Sequence, residues 1–112
     1  MIKDKIKVEI QHFHGCPNGP AMIENTKQAM NGLEVGVMYE ERLIEDNKEA
    51  LLNKFRGSPT LLIDGEDIEG MPEPRSPALT CRYYKNGIPS PDMIRKKILE
   101  KLEISHSHTV EK

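Results

Sequence analysis

Cys16 is the side chain in this sequence best placed to do chemistry. It lies in "HFHGCPNG", residues 12–19, where a short apolar run ends and Pro17 follows. A thiolate is both a nucleophile and a metal ligand, so the position suits disulfide exchange or metal binding. A Cys-x-x-Cys dithiol would need a second cysteine at position 19, where the chain has Gly19. His12, His14 and Cys16 alternate, so an extended backbone would put two imidazoles and a thiolate on one side, a donor set suited to zinc or copper. Gly15 interrupts that geometry, and His12 shares a face with Ile6, Val8 and Ile10, where a core histidine is the plainer expectation. The other cysteine, Cys81, stands in "CRYYKNG". A buried sulfur acting as a small hydrophobe is the competing reading for both cysteines.

Activation of Cys16 depends on the helix that follows it. A free thiol titrates at about 8.5, and the unpaired N–H groups of a helix start lower that value. Pro17 suits the first helical position. Pro20, with Gly19 restricted before it, delays the regular helix to about Asn18 as N-cap, which leaves Cys16 outside the strongest field.

The elements that position these residues follow from periodicity. "KIKVEIQHF" alternates, with Ile6, Val8 and Ile10 on one face and Lys5, Lys7, Glu9 and Gln11 on the other, which predicts a strand. "PAMIENTKQAMNG" predicts a helix with Met22, Thr26, Ala29 and Met30 inward and Gly32 as its stop. Strand character returns in "LEVGVMYEERLI" through Val35, Val37 and Tyr39. A second helix follows in "EDNKEALLNKFRG", with Asp46 and Glu49 as a capping box and Leu51, Leu52 and Phe55 as its apolar side. "PTLLIDGEDIEG" predicts a hairpin with an Asp64-Gly65 turn and a return around Ile68. Residues 70–91 form a long proline-rich loop, and Ser90-Pro91 opens a last helix with Ile94, Ile98 and Leu102 inward.

Composition narrows the function classes. At 112 residues, 37% hydrophobic and 30% charged, the chain suits one modest core, residues 1–104, with 105–112 as a flexible tail. "HSH" at 106–108 is read as part of that solvated tail. A net charge of −2, two Phe, three Tyr and no Trp argue against nucleic-acid binding. No run approaches the about eighteen apolar residues of a membrane helix, and the N-terminus lacks a signal-peptide core. The expectation is a soluble cytoplasmic monomer with reduced, catalytic, metal-binding or inert cysteines.

The order β-α-β-α-β-β-α, a cysteine between the first strand and first helix, and "GSPTLLIDG" together resemble the thioredoxin fold in its minimal, glutaredoxin-like form. The resemblance covers roughly residues 4–104. It implies an α/β fold with a four-stranded mixed sheet and three helices. Pro59 would be cis and would face Cys16 across a groove. It further implies thiol–disulfide exchange through Cys16, with a protein or small-molecule thiol or disulfide as substrate. Ser58, Pro59, Thr60 and Pro17 would line the substrate edge. No tightly held cofactor is implied; glutathione or another small thiol would resolve a monothiol Cys16. Alternatively Cys81 resolves it, since the loop after the last strand can approach this end of the fold. The fold also serves as a scaffold without redox activity, so a binding module, or a metal-handling protein using His12, His14 and Cys16, is the alternative.

Overall fold

In a computed structural model, which describes the backbone of residues 5–110 and the side chains through residue 103, the chain forms a mixed α/β fold with a four-stranded mixed sheet and three helices. The strands are β1 (Ile6–His12), β2 (Val37–Leu43), β3 (Thr60–Ile63) and β4 (Glu66–Asp67). The helices are α1 (Asn18–Ala29), α2 (Asn47–Leu52) and α3 (Pro91–Val110). Sheet order is β2-β1-β3-β4, with β1 parallel to β2 and antiparallel to β3, and β3 antiparallel to β4. β1 is therefore central, and its C-terminal end carries the loop that contains Cys16.

Ile6, Val8 and Ile10 point to one sheet face and are fully buried with Met22, Ala29, Ile94 and Ile98 of α1 and α3. Ser90 and Pro91 start α3 as predicted: the Met93 N–H donates to Ser90 Oγ at 3.2 Å. Arg95 of α3 donates to the carbonyls of Ala29 and Asn31 at the end of α1. A guanidinium there complements the negative pole of that helix. The backbone of α3 continues through residues 105–110, where the sequence predicts a tail; the "HSH" side chains lie outside the described residues.

The other face of β1 departs from the alternating pattern. Glu9 and Gln11 are buried, not solvated. Glu9 accepts from Gln11 Nε2 at 2.9 Å and Arg42 Nε at 3.0 Å, and it pairs with Lys7 Nζ at 3.3 Å. Neighbouring β2 supplies Glu40 and Arg42 in register with Glu9 and Gln11, so a charge network stands where a helix could have covered the sheet. Burial pushes the Glu9 carboxyl up, but hydrogen bonds from Gln11, Arg42 and Lys7 outweigh it and hold it below the ordinary range.

Three local expectations are corrected. Val35 lies in a 3-10 turn, Glu34–Gly36, and is exposed, so the second strand begins only at Val37. α1 ends at Ala29 with Met30 as its C-cap; Gly32, at φ +86°, turns the chain beyond it. In α2, Leu51 and Leu52 face solvent, while Ala50 and, beyond the helix end, Phe55 are buried with Ile44. The helix is only six residues long, and its orientation is set by its ends. Asp46 Oδ1 accepts the Glu49 N–H at 2.8 Å, and the Phe55 N–H bonds back to the Ala50 carbonyl. The reciprocal arm of the capping box reaches Glu45 N, one residue earlier than the motif predicts.

Candidate functional site

The strand end, a glycine turn and a helix start together place Cys16. After β1 the chain passes Phe13 and His14 and reverses at Gly15, whose φ of +97° suits a residue without Cβ. Pro17, exposed and in helical conformation, is the N-cap of α1, so Cys16 stands immediately before the cap, one residue closer to the helix than an Asn18 cap would leave it. The Gly19 N–H bonds to the Cys16 carbonyl at 3.3 Å. Gly19 is buried against β1, and a Cβ added there would meet only the His12 Cβ, at 4.0 Å. Space alone does not exclude a cysteine at position 19.

Cys16 is bonded to Cys81: the residues form a disulfide across 65 positions, with Cα atoms 5.8 Å apart. Of the partners the sequence left open for Cys16, an external thiol or Cys81, the structure pairs it with Cys81. Cys16 is 6% exposed, whereas Cys81 is exposed.

The segment around Cys81 is built into the sheet edge beside Ser58. Cys81 forms a parallel bridge with Ser58: the Ser58 N–H donates to the Thr80 carbonyl, and the Arg82 N–H donates to the Ser58 carbonyl, each at 2.8 Å. Ser58, Pro59 and Thr60 are all buried, and the Ser58–Pro59 peptide is cis. Ser58 Oγ accepts from the Phe13 N–H at 3.1 Å, which ties this edge to the Cys16 loop. The expectation of an open edge at Ser58 is thus revised, because the chain's own segment 80–82 occupies both of its backbone groups.

Arg82 anchors that segment. It donates to Asp67 Oδ1 at 2.6 Å and Oδ2 at 2.8 Å, with both side chains almost completely buried. Its guanidinium lies 4.6 Å from the centre of the Tyr84 ring, and Tyr84 Oη donates to the Pro59 carbonyl. Gly57 makes room for Arg82: its φ is +106°, and a Cβ there would lie 2.9 Å from the Arg82 Cβ. Burial pushes the Asp67 carboxyl up, yet Arg82 and the N–H groups of Met71 and Glu69 prevail and hold it below its ordinary 3.8. Within "CRYYKNG", Arg82 and Tyr84 are buried and pin the loop, while Tyr83 and Lys85 project outward. Asp67 and Gly57 were missed. Alternation along the hairpin's return strand puts Asp67 on the face opposite Ile68, so no local signal marked its burial.

A cleft bordered by His12, Phe13, His14, Cys16 and Ile23 lies beside the disulfide. Among the described residues no group of three or more histidine, cysteine or acidic side chains is arranged to hold a metal ion. With its sulfur in a disulfide, Cys16 offers no thiolate to join His12, half-buried, and exposed His14. Among the described residues no helix is long and apolar enough to cross a membrane. A disulfide is uncharacteristic of the reducing cytoplasm unless it cycles.

The fold and site define a small α/β domain with a disulfide joining a strand–helix junction to a sheet-edge segment. In fold it is similar to HBP35 of Porphyromonas gingivalis, with a TM-score of 0.60 and 15% sequence identity. That likeness covers 94% of this chain and 35% of HBP35, so the chain spans about a third of that protein's length. No protein family and no curated protein matches the chain.

Proposed function

We propose that this chain is a thioredoxin-like protein that performs thiol–disulfide exchange through Cys16 and Cys81. The observation that supports the reading best is the disulfide itself, formed between the helix-start cysteine and a residue bridged to Ser58, next to the cis-proline. Cys81 supplies the second sulfur that the chain lacks at position 19. The substrate is a protein or small-molecule thiol or disulfide, and glutathione or a similar small thiol supplies electrons. A cycling disulfide is also the kind that a reducing cytoplasm accommodates, so the redox reading and a cytoplasmic location support each other.

The test uses the reduced protein with a small aromatic disulfide, following release of the aromatic thiol. The wild type is expected to release two equivalents of aromatic thiol at least about tenfold faster than free cysteine, whereas Cys16→Ser and Cys81→Ser, each left with one thiol and no internal resolution, release at most one equivalent while keeping the fold. Reaction no faster than free cysteine would reject the proposal.

A second reading has its own support. The buried Arg82–Asp67 pair and the Ser58 bridge hold the segment independently of the sulfurs, as suits a binding module with a structural staple. A staple of that kind would resist glutathione in the native state.

A further inference from the structure

We infer that Cys81, not Cys16, is the sulfur an external thiolate attacks, an inference that rests on the exchange reading above. Attack on a disulfide is in line with the S–S bond, so each sulfur must be reached from its own side, and access together with leaving-group acidity decides between them. Both criteria favour Cys81. Cys16 is 6% exposed, while Cys81 is exposed on an edge segment whose Tyr83 is 84% exposed. The sulfur that leaves is then Cys16, which stands immediately before the Pro17 N-cap of a twelve-residue helix, on the side of the helix pole that favours a thiolate.

The thiolate RS⁻ forms an S–S bond with Cys81 Sγ, and Cys16 Sγ departs with the bonding pair. A second RS⁻ then attacks the R sulfur of the mixed disulfide, forming RSSR and releasing Cys81 as a thiolate that takes up a proton. In the opposite direction Cys81 attacks the substrate disulfide and Cys16 resolves the adduct. Throughout, Cys81 stays beside Cys16, because Ser58 holds its flanking backbone and Arg82 is locked to Asp67. Ring closure therefore remains an intramolecular step between preplaced groups.

This reverses the roles expected from the helix-start position, and the cleft beside Cys16 supplies the rival route. The oxidised, unmodified protein is mixed with glutathione for a few seconds, then quenched with excess N-ethylmaleimide. The freed cysteine is capped, and the modified peptides are identified by mass spectrometry. Glutathione on Cys81 with maleimide on Cys16, in at least about tenfold excess over the opposite pattern, is the expected result. An equal or reversed distribution overturns the assignment while leaving exchange itself standing. No adduct in the native state, with labelling only after denaturation, defeats the exchange reading and this inference together.

Discussion

At the scale of single residues, the site depends on Arg82 more than on any neighbour of Cys16. Its guanidinium meets Asp67 in a bidentate pair buried away from water, and removing one partner would leave the other charge uncompensated. Arg82→Ala is expected to destabilise the fold by about 3–5 kcal/mol in chemical denaturation. The pair also fixes a pH dependence. Asp67 titrates below its ordinary 3.8 when folded, so its contribution is complete above that value and disappears as pH falls through the lowered folded value. Acid unfolding followed by circular dichroism should therefore start near or below pH 3.8, with Asp67→Asn weakening the slope in that range. The same side chain marks a limit of sequence reading. Nothing adjacent to Asp67 identifies its partner, fifteen positions away across a proline-rich loop.

At the scale of elements, local signals were read well wherever the cause was local. Ile6, Val8 and Ile10 of β1 face the core as their spacing predicts, the Asp64-Gly65 turn has both residues at positive φ, and Asp46 and Ser90 cap the helices they precede. The burial of Glu9 and Gln11, and the exposure of Leu51 and Leu52, were illegible because they depend on which helix covers which face. The Cys16–Cys81 pair was legible as one alternative, and only the docking of segment 80–82 on Ser58 selects it. Two substitutions probe that docking. Gly57→Ala forces a Cβ into the Arg82 side chain and into a strained backbone, and should lower Tm by several degrees and loosen segment 80–82 in hydrogen exchange. Gly19→Cys combined with Cys81→Ser should form a disulfide between Cys16 and the introduced cysteine, detectable in peptide maps, since the added Cβ meets only the His12 Cβ at 4.0 Å. Absence of that bond would mean that the start of α1 is too rigid to bring the two sulfurs together.

At the scale of the whole molecule, the disulfide closes a loop of 65 positions. Chain entropy assigns such a closure about 4 kcal/mol of stability, an upper figure because the native anchors and the unfolded chain both modify it. Reduction should thus lower Tm by on the order of 10 °C, yet leave a folded protein, because the core of β1, α1 and α3 does not involve either sulfur. A fold that persists without its disulfide is what a cycling pair requires. The most direct measurement is equilibration of the native protein in glutathione buffers of graded ratio, with the thiol content read by mass spectrometry and the fold by circular dichroism. The account predicts a reversible transition between a folded disulfide form and a folded dithiol form. A disulfide that stays closed at every ratio until the chain unfolds would contradict it.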